Sequence, residues 1–435
     1  MKAIGLSLSM AVSAALLSAC SSIGNSNNQT TLAPSDYTLE KVVFFSRHGI
    51  RAPLIGYGSA LAEATPQTWP TWTTEGGHLT PKGAQLEGIF AEYLGHWLDV
   101  AGLIKQGECR PEAVLVYTNS LPRTIATGEQ FAQKAFADCG IDVRHLEAVG
   151  KMDNTFNPIV RSTVDAAFEK KLRRSIDESL GAEGFAGLNQ RLANSYAALE
   201  KVLNYQNSIA CKEKNSCQIA AIENTLSFEQ GKEPKTTGAL RNGTGAADSF
   251  VLQYYEGFPL EQVAWGKIDS EEEWKNITEI KDLYNDVLFG SPLMAKEAAT
   301  PLLSFIQNAF SDEGYAHPLI EQARQAKVVM LVGHDSNVGS LLPLLKTKPY
   351  HLPNQYEHTP SGGKIAFQQW RDPQDKQWIK IEYFYQSTEQ LRQAQALSDS
   401  NPPQRVTLEI ANCPVNTQGF CALEDFKQAM RKALQ

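Results

Sequence analysis

The sequence predicts an α/β fold in which a mainly parallel central sheet is flanked by helices and carries an inserted, smaller α-rich domain. Three observations support this. Segments 40–46, 113–117 and 327–332 contain the runs KVVFF, AVLVY and KVVMLV, too short for helices, rich in β-branched residues and apolar enough for strands buried on both faces. Each run ends directly in polar, reactive residue types, at Arg47-His48-Gly49, Thr118-Asn119-Ser120 and Gly333-His334-Asp335. Helical patterns lie between the runs. Ligands of open parallel sheets bind beyond the carboxyl ends of the strands, so the three tips are expected to converge on one site.

Taken from the N-terminus, residues 1–20 have the layout of a secretory signal, with Lys2, an apolar stretch from Ala3 to Leu17 and small residues before Cys20. Leu17-Ser18-Ala19-Cys20 resembles a bacterial lipobox, which predicts a lipidated Cys20 and a polar, flexible tether over 21–36. The chain is therefore expected to be exported to the periplasm and anchored to the outer membrane through that lipid. The α/β core is assigned to 37–160 and 311–435, and the inserted α-rich domain to 161–310. Thr80-Pro81 makes an N-cap and first turn, and Leu86, Ile89, Phe90, Tyr93, Leu94 and Trp97 recur at helical spacing to about Val100. Residues 123–136 suit a further helix. Between 161 and 310 no strand-like run occurs, and helical stretches fall around 188–205 and 271–288. Segments 364–370, 378–385 and 405–410 read as strands that complete the sheet.

A chain of 435 residues with 42% apolar content can bury a sizeable core, and a net charge of −8 argues against a nucleic-acid backbone as partner. Any anionic substrate must be caught locally. Of seven cysteines, setting Cys20 aside leaves Cys109, Cys139, Cys211, Cys217, Cys413 and Cys421, an even number that reads as three disulfides in an oxidising compartment. Fifteen connectivities are formally open, with sequence neighbours the natural pairs. A zinc site is disfavoured, because no Cys-x-x-Cys pair occurs and no histidine stands at ligand spacing beside these cysteines. The isolated histidines His78, His96, His145, His317, His351 and His358 read as packing or surface residues.

The chemistry is concentrated in Arg47-His48-Gly49-Ile50-Arg51-Ala52-Pro53, which sets two guanidinium groups around one imidazole at a strand end. A phosphate monoester dianion needs such bidentate cationic donors in the ground and transition states. Gly49 would let the backbone approach the anion. This stretch resembles the Arg-His-Gly-x-Arg-x-Pro signature of the histidine acid phosphatases, matched at every fixed position. The resemblance implies that His48 is a nucleophile forming a phosphohistidine and that Arg47 and Arg51 grip the phosphate. His334-Asp335 resembles the family's second motif, so His334 would bind phosphate while Asp335 protonates the leaving oxygen and then activates water. Arg123 resembles the family's third phosphate-binding arginine. Neighbouring arginines are expected to keep the His48 ring neutral even in mild acid, by like-charge repulsion.

Longer stretches, 54–77 with TPQTWPTW, KMDNTFNP at 151–158, QYYEGF at 253–258 and VAWG at 263–266, are similar to the bacterial periplasmic glucose-1-phosphatases. This similarity implies sugar phosphates as substrates, three disulfides, and a pocket lined in the region of Asp153, Phe156 and Glu256. Neither a metal nor an organic cofactor is expected, the arginines replacing a metal clamp. The partner is a small-molecule phosphate monoester. Three other readings remain: an inositol hexakisphosphate phosphatase, a phosphomutase, which export disfavours, and a non-catalytic phosphosugar-binding lipoprotein, expected to have lost His48 or Asp335.

Overall fold

The structure is a computed structural model that describes Met1 and residues 36–54, 59–214 and 217–435. Cys20, the leader and the tether up to residue 35 lie outside the described residues. Among the described residues there are ten strands: β1 Thr38–Arg47, β2 Val114–Thr118, β3 Val143–Arg144, β4 Thr225–Ser227, β5 Lys235–Thr237, β6 Val328–Gly333, β7 Lys364–Arg371, β8 Gln377–Tyr385, β9 Gln404–Thr407 and β10 Phe420–Ala422.

The main sheet runs in the order β10-β8-β7-β1-β6-β2-β3, with β9 on β8. Pairs β1–β6, β6–β2 and β2–β3 are parallel. On the other side of β1 the pairing turns antiparallel, through β7, β8, β9 and β10. The three expected strands therefore form the parallel centre, and register brings their ends level: Arg47 stands beside Gly333, and both Ser46 and Thr118 stand beside Val332. The chain continues from those ends into the reactive residues. Strand 405–410 is shorter than expected, since β9 stops at Thr407 and Ile410 pairs only in an isolated bridge to Thr347.

Alternation along the strands builds one core on each face. Val43, Phe45, Leu115, Tyr117, Val329 and Leu331 pack beneath helices 292–310, 335–344 and 423–434. Val42, Phe44, Val114, Val116, Val328 and Met330 pack beneath helices 81–100 and 122–135. The Pro81–Val100 helix starts as expected, with the Thr80 side chain accepting from Gly83 N. Between β3 and β6 the chain is mostly helical, including Ala166–Leu180, Ala193–Leu203, Ala239–Glu256 and Glu271–Asn285. These elements share an apolar core with Tyr196, Leu199, Phe250, Ile277 and Ile280 at full burial. The expectation of no strand in this stretch is corrected by the hairpin β4–β5, whose three-residue strands are too short to leave a periodic signal. Cysteines pair as sequence neighbours, Cys109–Cys139, Cys211–Cys217 and Cys413–Cys421.

Candidate active site

At the level ends of β1, β6 and β2 lies a cavity of about 330 Å³, lined by His48, Arg51, Arg123, Arg241, Lys281, His334 and Asp335 together with uncharged neighbours and the carboxylates of Glu233 and Asp248. His48 leaves β1 pinned on both sides: its N–H donates to Gly333 O at 3.0 Å, and its carbonyl accepts from Gly362 N at 3.1 Å. The ring Nδ1 stands 2.8 Å from the Gly49 carbonyl oxygen. A carbonyl can only accept, so Nδ1 carries the proton and Nε2 carries the lone pair. Burial, followed by Arg123, His334, Arg47 and Arg51, holds the ring's pKa well below the usual histidine value. The ring is therefore neutral in mild acid.

Gly49 also has a packing role. A Cβ there would come within 2.8 Å of Glu87 Cγ and 3.0 Å of Leu79 Cδ1. Packing against helix 81–100 accounts for the glycine.

Arg51 Nη2 donates to Asp248 Oδ2 at 2.9 Å. Arg47 is buried, donates through Nη1 to both Glu357 oxygens at 3.2 Å and to Thr359 O, and directs Nη2 to within 3.6 Å of Asp335 Oδ2. Arg123, in the first turn of helix 122–135, places Nη2 3.3 Å from His334 Nδ1. On the far side of that ring, Asn119 Nδ2 lies 2.6 Å from His334 Nε2. The Asn119 carbonyl oxygen accepts from Ser120 N and Asp153 N, which fixes the amide with its NH₂ toward the histidine. His334 Nε2 must then accept, and Nδ1 carries the proton. Two donors, Nδ1–H and the Arg123 guanidinium, thus face each other with no acceptor between them. An anion entering the cavity would satisfy both. Nε of Arg47 and of Arg123 also have no partner among the described residues.

Burial, and then Arg123 and the other arginines against the opposing pull of Asp335, push the His334 pKa down to about 3. Asp335 opens helix 335–344, and one carboxylate oxygen accepts from Ser336 N at 2.9 Å. Burial acts to raise its pKa, but Arg47, Lys281, His334 and Arg51 outweigh this and hold it well below the usual carboxylate range. Among the described residues, no group of three or more His, Cys, Asp or Glu is gathered as a metal ion would require.

Residues 38–386 match the family model of the histidine phosphatase superfamily, branch 2. The chain belongs to that family. It is 43% identical over 407 residues to a glucose-1-phosphatase of Salmonella typhimurium, an alignment covering 93% of this chain and 95% of that one. It is 39% identical over 432 residues to a glucose-1-phosphatase of Providencia rettgeri, covering 98% and 99%. The Hafnia alvei phytase solved in complex with tartrate superposes with a TM-score of 0.86 at 28% identity, covering 93% of this chain and 98% of the phytase. This histidine phosphatase is a phosphoric monoester hydrolase.

In this phosphatase the motif residues His48, Arg51, Arg123, His334 and Asp335 all border one cavity, with Arg47 directly behind Asp335. Of the expected pocket region, Met152 in the 151–158 stretch lines the cavity, whereas the three named residues lie outside it. Asp153 is buried against Tyr117 Oη at 2.7 Å, Phe156 is fully enclosed in the core, and Glu256 accepts from Thr80 Oγ1 at 2.7 Å, so none of the three borders the cavity. Sequence reasoning missed Glu233, Arg241, Asp248 and Lys281 of the 161–310 segment, which carry no motif. Asn119 had a signal, as the polar residue ending β2.

Proposed function

We propose that this chain hydrolyses phosphate monoesters through His48 Nε2, with glucose-1-phosphate or a similar small sugar phosphate as substrate. The observation that carries the reading is the His48 Nδ1–Gly49 contact, which leaves Nε2 unprotonated beside the arginines. Nε2 attacks phosphorus, the bond to the leaving oxygen breaks, and the Asp335 proton passes to that oxygen. Asp335, now a carboxylate, takes a proton from water as the water oxygen attacks phosphorus and the P–N bond breaks, which restores His48 and releases inorganic phosphate. Arg51, Arg123 and His334 would hold the phosphoryl oxygens, with Arg47 adding positive charge from behind Asp335. Without a substrate anion to offset them, Arg47, Lys281 and Arg51 hold Asp335 ionised. A bound phosphate dianion offsets them, so the proton needed by the leaving group is favoured only once substrate is in place.

A sugar phosphate is supported by the cavity's size, near the lower end of about 300–1,000 Å³ for small-molecule sites. Relatives named glucose-1-phosphatase align over nearly the whole chain. The second reading, inositol hexakisphosphate, is favoured by the close superposition on a phytase. Three disulfides and the leader pattern support export, with Cys20 as lipid anchor; the segments 37–160 with 311–435 and 161–310 are proposed as core and insert.

The test measures phosphate release near pH 5 with excess chelator from glucose-1-phosphate, inositol hexakisphosphate and an aryl phosphate, with His48→Ala alongside. Preference for glucose-1-phosphate with an inactive variant supports the reading. Preference for inositol hexakisphosphate moves the substrate to the second reading, and an active His48→Ala sinks the mechanism.

A further inference from the structure

We propose that Glu357, outside every motif and buried behind the cavity, is a positioning residue that clamps Arg47 and thereby sets how well Asp335 delivers its proton to the leaving group. The proposal rests on the reading of Asp335 as general acid.

Glu357 belongs to the segment between helix 335–344 and β7, which holds the nucleophile's own backbone: Gly363 O accepts from Arg47 N at 3.0 Å, and Gly362 N donates to His48 O. Its side chain is wholly buried. One oxygen accepts from Ser361 N at 3.1 Å, which fixes the carboxylate relative to this backbone. Both oxygens take Arg47 Nη1, and Oε2 takes Lys281 Nζ. Lys281 Nζ in turn lies 3.6 Å from Asp248 Oδ1, whose other oxygen receives Arg51. The result is an unbroken chain of alternating charge, Asp335–Arg47–Glu357–Lys281–Asp248–Arg51. Asp335, Lys281, Asp248 and Arg51 border the cavity, whereas Arg47 and Glu357 do not.

The position of Glu357 in this chain has two consequences. With Nη1 bound to Glu357 and Thr359 O, the guanidinium cannot swing, and its Nη2 edge stays at Asp335. An arginine held in this way loses little entropy when the phosphate arrives. The glutamate charge also offsets part of the cationic field of Arg47 and Lys281. The remaining charged groups facing Asp335 are His334, Arg51, Arg123, Glu233 and Asp248, none of which is bonded to Glu357. Removing the Glu357 charge leaves Arg47 and Lys281 less compensated, so Asp335 is held ionised more firmly and donates a proton less readily. That defect is felt by a sugar phosphate, whose alkoxide departs poorly without a proton, and hardly by an activated aryl phosphate, whose phenolate leaves unaided.

The test is the ratio of kcat/KM for glucose-1-phosphate to that for p-nitrophenyl phosphate, in wild type, Glu357→Gln, Lys281→Gln and Asp335→Asn, each checked for native thermal unfolding. Glu357→Gln is expected to lower the ratio about tenfold, one pKa unit's worth of proton delivery. Lys281→Gln removes a cation from the other side of the same carboxylate and is expected to raise it. A uniform loss on both substrates cancels in the ratio, so a merely structural role would not move it. If Glu357→Gln does not fold, Lys281→Gln decides, and a ratio that falls or stays constant overturns the proposal. A ratio lowered by Asp335→Asn but untouched by Glu357→Gln overturns the role of Glu357 alone. A ratio untouched by Asp335→Asn overturns the general-acid reading and this proposal with it.

Discussion

Asn119 Nδ2 lies 2.6 Å from His334 Nε2, and this contact sets the tautomer that turns His334 Nδ1–H toward the cavity. Asn119 takes that orientation from two backbone donors, Ser120 N and Asp153 N, and its second amide hydrogen goes to Met152 Sδ at 3.0 Å. Asn119→Ala leaves every cavity-lining side chain in place and frees the ring to flip. The expected outcome is a fall in kcat/KM of about tenfold, one hydrogen bond's worth of about 1–1.5 kcal/mol. Inorganic phosphate should inhibit the variant more weakly by a similar factor. Unchanged phosphate inhibition would show that the tautomer is set elsewhere.

The buried histidines make stability depend on pH in a defined direction. His48 and His334 are neutral in the folded protein, with His334 pushed down to about 3 and His48 also lowered. In the unfolded chain each accepts a proton as pH falls through about 6.5. Between that value and the folded value the unfolded state binds more protons, so stability declines as pH falls, by about 1 kcal/mol per pH unit per histidine. The carboxylate of Asp335 adds its own loss only below about pH 4, since its folded value lies under its unfolded one. Thermal melts from pH 7 to 4.5 in phosphate-free buffer should show this slope, and His334→Asn should flatten it. Saturating phosphate should raise the melting temperature at every pH by binding the folded state alone.

Asp335→Asn keeps the size of the side chain and removes the transferable proton. Glucose-1-phosphate turnover is expected to fall by about 10²–10⁴-fold, while an activated aryl phosphate falls much less. Burst kinetics with the aryl substrate should then show phosphohistidine accumulating, because the second step also lacks its base. Equal losses on both substrates would remove Asp335 from proton transfer.

These predictions draw on residues of uneven legibility. The runs at 40–46, 113–117 and 327–332 were readable because strands buried on both faces must be continuously apolar, and the polar residues after them could only sit at strand ends. The chain of charge behind the cavity was not readable. Asp248, Lys281 and Glu357 come from two helices and a connecting segment far apart in sequence, and each alone looks like a surface charge. Asp153, Phe156 and Glu256 fall in segments that pointed to the pocket, yet Phe156 is packed on Tyr117, and Asp153 is bonded to it. A segment shared with relatives marks packing as readily as contact with substrate. β3 and β10, with two and three residues, are too short for any period to register.

The disulfides offer a last prediction, because they close loops of different length. Cys109–Cys139 spans 30 residues, whereas Cys211–Cys217 and Cys413–Cys421 span 6 and 8. Cross-linking removes entropy from the unfolded chain in proportion to the logarithm of loop length, about 3–4 kcal/mol for the long loop and about 2 kcal/mol for the short ones. The long link also has the more important position. It joins the connection that follows helix 81–100 to the end of helix 122–135, the helix that carries Arg123 and whose Thr127 Oγ1 accepts from Gly49 N at 3.0 Å. Replacing Cys109 and Cys139 together with serine should therefore lower stability more than replacing either other pair, and should lower activity at temperatures where the protein is still folded. Replacing Cys211 and Cys217 should change stability modestly and leave kcat/KM unaltered. Denaturant unfolding of the three double variants, with activity measured in parallel, checks the order, and a larger loss from Cys211–Cys217 would overturn it.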